Sequence, residues 1–384
     1  ITLSEYLENR FEDRSRLLRI VTAFFILTFF LFYTSSGLVA GGKLFESVFG
    51  LPYVWAVLAG ALAVIVYTFL GGFMAVCWTD CVQGLLMSLA LVLVPVVAIA
   101  SQGGWWRATE AMRAVNPSML NPFAASGGVL SIVSLTAWGL GYFGQPHILV
   151  RFMAIRSAGD IPRARRIAMI WVFLGMAGAL LVGFAGVGAL ETPLAGADTE
   201  KVFILLVQAL LHPVPAGICL AALLAAIMST ADSQLLVASS ALTEDFYRPF
   251  IRKQASQKEL VLAGRLTVVL IAAAAFALAM DPGNKVLDLV AFAWAGFGAA
   301  FGPTILMSLF WRRMTRAGAF AGIVTGGVTV FIWGKLLEGG IFDLYEIVPG
   351  FVLSLAAIVT ASLLSRPPEA AGRLRAVSRR SSGR

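Results

Sequence analysis

The sequence is poor in charge, histidine and cysteine. Of its 384 residues 13% are charged, two are histidine and three are cysteine. A soluble globular chain is about 25% charged and about 45–50% apolar; here the apolar share is 59% and the mean hydropathy +0.86. So little charge excludes a water-soluble enzyme, a disordered regulator and a nucleic-acid binder together. Three cysteines in a chain of this length exclude a disulfide scaffold. Cys77 and Cys81 have no histidine or further cysteine nearby in sequence, so zinc is not expected. No nucleophile, base and orienting group can be assembled at one membrane face, so no enzyme is expected either. There is no secretory signal peptide, and no Pro/Ser/Gly-rich linker divides the chain. It begins Ile1-Thr2-Leu3 without an initiator Met, which suggests that N-terminal residues are missing.

What the sequence does have is long apolar runs. Ten are long enough to cross roughly 30 Å of hydrocarbon at about 1.5 Å per residue. They lie near 17–42, 51–76, 82–101, 126–147, 166–190, 214–240, 263–280, 287–311, 317–335 and 346–364. An all-α polytopic membrane protein in a lipid bilayer is therefore expected, with one membrane domain over 1–365. Residues 202–211 are apolar but too short to cross, and Pro213 and Pro215 break them off. A basic, Ser-rich cytoplasmic tail fills 366–384.

The net charge of +8 would suggest nucleic acid in a soluble chain. Here its placement matters more. Counted on alternate sides of the ten runs, 23 of the 29 Lys and Arg residues fall with both ends of the chain and six on the other side. The excess marks the first side as cytoplasmic.

An ionised Asp at a membrane helix centre costs about 2.5–3.5 kcal/mol, so such a residue is functional by default. Asp232 lies in Ala226-Ile227-Met228-Ser229-Thr230-Ala231-Asp232-Ser233, inside the sixth run. At about 100° per residue, Ala226, Ser229, Asp232, Ser233 and Ser240 share one side, with Thr230 at its edge. Adjacent hydroxyls and a backbone carbonyl offer a hard cation the oxygens it wants. The other reading of the stripe is close helix packing through small polar residues.

Trp138-Gly139-Leu140-Gly141-Tyr142-Phe143-Gly144-Gln145-Pro146 ends the fourth run. It spells Gly-x-Gly-x-x-Gly, but no strand precedes it, so a dinucleotide site is excluded. Three glycines and a proline weaken a helix, and broken membrane helices line cavities. Trp138 and Tyr142, spaced i, i+4, would present two aromatic faces there; an interfacial aromatic belt is the alternative. Asp80, in Cys77-Trp78-Thr79-Asp80-Cys81, reads as a solvated turn without a basic partner. His147 and His212 read as solvated span ends. Tyr33-Thr34-Ser35-Ser36-Gly37 places a polar patch inside the first run.

Five blocks in order resemble bacterial sodium/proline symporters of the sodium/solute symporter family, from about residue 2 to 365. They are Tyr67 through Phe73, Trp138 through His147, Met228-Ser229-Thr230, Ala293 through Gly302, and Arg313-x4-Gly318-Ala319. The resemblance implies a LeuT-type inverted-repeat core, with N-terminal helices missing from this chain, and sodium-coupled uptake of L-proline across the inner membrane. It implies that Ala226, Ser229 and Thr230 help hold sodium, that Tyr33, Trp138, Tyr142 and Pro146 contribute to the proline pocket, and that Asp80 handles sodium. Asp232 stands where relatives carry a small neutral residue, and it joins Asp80 as a candidate for the sodium path. The alternatives are a sodium symporter for another small solute, a channel, and a transporter-like sensor. A sensor needs a long soluble C-terminal region, and a channel would not accumulate solute. The sequence carries no signal for oligomeric state.

Overall fold

The computed structural model describes residues 2–70, 73–121 and 128–366, and every regular element among them is helical. The tail from 367 onward, Gly71 and Gly72 of the resemblance's first block, and residues 126 and 127 of the fourth run lie outside the described residues. In chain order the helices are α1 Leu3–Arg10, α2 Leu17–Phe49, α3 Tyr53–Leu70, α4 Phe73–Ser101, α5 Trp105–Val115, α6 Val129–Ala137 and α7 Pro146–Met153. There follow α8 Ile161–Ala189, α9 Val202–Leu210, α10 Pro213–Ser240, α11 Gln257–Ala279, α12 Val286–Phe310, α13 Arg316–Leu336 and α14 Ile347–Leu364.

Eight of the described helices are long and apolar enough to cross a membrane, and Tyr53–Val66 and Val129–Gly144 are shorter apolar helices. Each of the ten apolar runs corresponds to one of these. The chain is a multi-pass membrane protein of the expected all-α class. The short apolar piece is α9, a two-and-a-half-turn helix that does not cross. Local chemistry sets several boundaries: Gly50, at φ 64°, ends α2. Ser256 and Thr315 cap α11 and α13 through their hydroxyls, accepting from Glu259 N and Gly318 N at 3.2 Å each.

The bundle is organised around α12. An apolar stretch of α12 is 78% buried, against 11% for α8, so α12 is the axis and α8 lies at the periphery. Phe29 and Phe30 of α2 pack on Phe297 of α12 at centroid distances of 5.7 and 4.6 Å. Ile167, Ile170, Phe173 and Leu180 of α8 are exposed, the surface expected toward lipid.

The two ends of the bundle are each tied by ion pairs. At one end Arg19 pairs with Glu8 at 2.8 Å and Asp245 at 3.2 Å, and Arg316 with Asp13 at 3.2 Å. At the other Lys43 pairs with Glu200 at 2.6 Å and Lys201 with Glu46 at 3.3 Å. Residues assigned to the same side by alternation thus meet in space. Lys43 is buried rather than in a loop, because α2 runs two turns beyond the expected span. Glu200 also accepts from the backbone N–H groups of Val286 and Leu287 at 3.0 Å, at the start of α12. Burial pushes the Glu200 carboxyl up, but the Lys43 hydrogen bond, those two N–H groups and the Lys43 charge outweigh it and hold it below its ordinary value.

Candidate functional site

The first cluster is built by α10 alone. Ser229 Oγ and Thr230 Oγ1 both donate to the carbonyl of Ala226, at 3.2 and 3.0 Å. Hydroxyls three and four residues along a helix reach back to the same carbonyl. Three oxygens therefore converge in mid-helix, and all three residues are half-buried. One turn nearer the basic end, Ser233 Oγ donates to Ser229 O at 2.8 Å.

The second cluster begins where α6 stops. From Trp138 to Gly144 the backbone is a 3-10 helix, Gln145 is extended, and Pro146 opens α7. The expected break is there, but its pitch differs from the expectation. In an α-helix residues i and i+4 lie about 40° apart; at three residues per turn they lie about 120° apart. Trp138 and Tyr142 therefore do not share a face. Trp138 stacks on Trp294 of α12 (5.6 Å, 18°) and on Tyr345 (5.9 Å, 20°). Tyr142 meets the Trp294 ring edge to face at 4.8 Å and is 45% exposed. Residues 138, 141 and 144 share one face of the 3-10 turn, and that face lies on α12. A Cβ on Gly141 would overlap the Trp294 indole, and one on Gly144 would overlap the Phe297 carbonyl.

Tyr33 is buried, and its ring lies 5.8 Å from that of His147. His147 is half-buried at its span end, not freely solvated. It packs against Phe30 and Tyr33, and its Nδ1 is buried without a hydrogen-bond partner.

Asp80 does not sit in a turn. It lies within α4, and Arg151 at the end of α7 pairs with its Oδ2. Arg151 Nη2 also donates to Ser233 Oγ at 2.8 Å, and Ser233 Oγ lies 3.4 Å from Asp80 and 3.3 Å from Asp232. The basic partner, 71 positions away in sequence, is supplied only by the fold. Asp232 is completely buried, with Oδ2 unpartnered. Its stripe neighbour Ser233 lines a cavity of about 500 Å³ instead, with Cys77, Pro146, His147, Arg151 and Asp245. The cavity belongs to the basic end, between α1, α4, α7 and α10. Of Tyr33, Trp138, Tyr142 and Pro146, Pro146 alone lines it.

Sequence reasoning missed Arg151, Trp294, Tyr345 and Gln145. Gln145 is fully buried and donates to Gly141 O at 3.1 Å and Trp294 O at 3.4 Å. Trp294 sits inside an uninterrupted apolar run, where no local signal separates it from ordinary core.

Residues 1–326 match the Sodium:solute symporter family. The sodium/proline symporter of Salmonella typhimurium is 52% identical over 377 residues, 97% of this chain and 74% of that protein. The sodium/proline symporter of Escherichia coli is 53% identical, with the same coverage of both chains. The high-affinity proline transporter PutP of Bacillus subtilis is 49% identical over 376 residues, 97% of this chain and 78% of its own. Among solved structures, a Na+-coupled sialic acid symporter in a substrate-bound outward-open state superposes with a TM-score of 0.74 at 21% identity, covering 95% of this chain and 78% of that one. That likeness carries the LeuT-type fold. On the length and identity of these matches, the chain belongs to the sodium:solute symporter family.

Proposed function

We propose that this chain takes up L-proline together with sodium across the bacterial cytoplasmic membrane, as a symporter and not an enzyme, a channel or a sensor. Relatives near half identity bear that activity in their names. The observation that carries the sodium half is the convergence of two hydroxyls on the Ala226 carbonyl. Rotating both O–H bonds away from that carbonyl frees three oxygens for one small cation without moving the backbone. The ion takes the place of the two hydroxyl donors at the carbonyl, and because Ser229 and Thr230 are both half-buried their turned O–H groups can donate to water.

Proline brings an apolar ring and a charged end. Trp138 and Tyr142 receive the ring, with Tyr33 and Pro146 completing the wall. By the positive-inside rule the basic end is cytoplasmic, so the cavity at Ser233 and Pro146 is the exit side. Along α10 the oxygens descend from Ser229 through Ser233 to that cavity, one turn per step, with Asp80 and Asp232 beside the path. Asp80 attracts an outgoing cation, and Arg151 compensates its charge in the absence of the ion.

The energetics suffice. One charge moved across 100 mV supplies about 2.3 kcal/mol, and a tenfold sodium gradient about 1.4 kcal/mol. Together, roughly 3.7 kcal/mol supports accumulation on the order of 500-fold at one sodium per solute.

The test is uptake of labelled proline by the full-length protein in proteoliposomes. An inward sodium gradient should drive proline above its external concentration, and an equal potassium gradient should not. Equilibration without accumulation, or the same uptake in potassium, would refute the proposal.

A further inference from the structure

We infer that Trp294 is a positioning residue for the solute pocket, holding the segment that carries Trp138 and Tyr142 at 3-10 pitch. The inference rests on the proposal that those two aromatics contact proline, and it adds a residue from a different helix. Trp294 Nε1 donates to the carbonyl of Trp138 at 2.9 Å. In an α-helix that carbonyl would accept from the backbone N–H of residue i+4, which here is Tyr142. The indole N–H competes for the acceptor that an α-helical turn would need.

The same ring blocks that alternative in three further ways. It stacks on Trp138, meets Tyr142 at its edge, and lies so close to Gly141 that only a glycine fits beneath it. Gln145 closes the far side by donating to both the Gly141 and Trp294 carbonyls. By contrast, a Cβ on Gly139 would meet nothing within 4 Å. Residues 139 and 142 share a face of the 3-10 turn, so this open face is the one that carries the exposed Tyr142 ring. Relaxation to α-helical pitch would swing Tyr142 by about 80° relative to Trp138. The pitch of one short segment thus decides where the second aromatic wall stands, and Trp294 fixes that pitch without itself needing to touch solute.

Trp294→Phe keeps an apolar ring for the stack and deletes the N–H. In the full-length protein in proteoliposomes it should raise the half-saturating proline concentration roughly fivefold, with the maximal rate and the half-saturating sodium concentration retained. In a Tyr142→Ala background the same change should add little, because the two act through one feature. A wild-type proline half-saturation in Trp294→Phe would overturn the inference. So would a parallel rise in the sodium requirement, which would mark a general structural defect. Trp138→Ala and Tyr142→Ala serve as references: if they raise the proline half-saturation and Trp294→Phe does not, only the positioning role fails. If neither reference variant shifts it, the pocket reading itself fails and takes the inference with it.

Discussion

The hydroxyl cluster of α10 and the aromatic cluster of the broken fourth run are both polar interruptions of apolar helices, but they are held in opposite ways. Ala226, Ser229 and Thr230 belong to one unbroken helix, and their hydrogen bonds close within a single turn. Trp138 through Gln145 have surrendered α-helical bonding and are held from outside, by Trp294, Phe297 and Tyr345. A site made within one helix can lose an oxygen without losing its frame. A site made between helices couples its shape to every neighbour. Substitutions in the first should act on one ligand, and substitutions in the second should spread.

The largest expected effect tests the first half of that contrast. Ser229→Ala and Thr230→Ala each remove one oxygen from a small-cation site while leaving the helix intact. Each should raise the half-saturating sodium concentration by on the order of tenfold or more, with the thermal midpoint of the purified protein nearly unchanged. Loss of folded protein in step with loss of sodium response would show that the hydroxyls serve packing.

A smaller effect sharpens the second half. Tyr142→Ala deletes a half-exposed ring that meets Trp294 at its edge. Proline half-saturation should rise by roughly tenfold or less, since an aromatic contact is worth about 0.5–1.5 kcal/mol beyond its area, and the sodium requirement should hold. Trp138→Ala, which also removes the stacks on Trp294 and Tyr345, should shift the thermal midpoint as well. Equal stability losses in the two variants would break the distinction drawn between the rings.

The smallest effect on transport lies far from both clusters, at the Lys43–Glu200 clasp. The Glu200 carboxyl is held below its ordinary value of 4.5 in the folded protein. A depressed carboxylate stabilises the fold above its unfolded value, and that contribution is lost as pH falls through the folded one. Glu200→Gln should therefore lower stability at pH 7 by about 1–3 kcal/mol, because the buried Lys43 ammonium keeps a hydrogen-bond acceptor and loses its counter-charge. The gap to wild type should shrink below about pH 4.5. A gap that stays constant through the acid range, measured by thermal unfolding in detergent, would show that the charge plays no part.

Much of the architecture was legible because spanning length is written directly in composition. All ten apolar runs correspond to apolar helices. Helical spacing placed Ala226, Ser229 and Ser233 on one side of α10 with Thr230 at its edge, while the choice of Ala226, Ser229 and Thr230 as the sodium set came from the family resemblance. What was not legible depended on partners distant in sequence. Asp80 read as a turn because its stretch lies in a short gap between apolar runs with no basic partner nearby, whereas Arg151 and Ser233 make a helical position tolerable. The sixth apolar run ends at 240, yet the helix continues through Ala241–Ile251 at π pitch, with Asp245 held by Thr2 and Arg19. Asp232 shares a helix side with Ser229 and Ser233 by spacing, yet it is fully buried while Ser233 lines the cavity. The offset of Tyr142 from Trp138 was misjudged because an α-helical angle was applied to a segment that α12 keeps at a tighter pitch.

The account stands most directly on Thr230, where oxygen and shape can be separated. Thr230→Ser keeps the hydroxyl and sheds a methyl group; Thr230→Val keeps the shape and loses the oxygen. Sodium dependence of proline uptake should be compared in the full-length protein across the two variants. Ligation predicts that Ser stays near the wild-type half-saturating sodium concentration while Val requires on the order of tenfold more. If Val matches Ser, the hydroxyl is not a ligand and the sodium site is not the one described on α10.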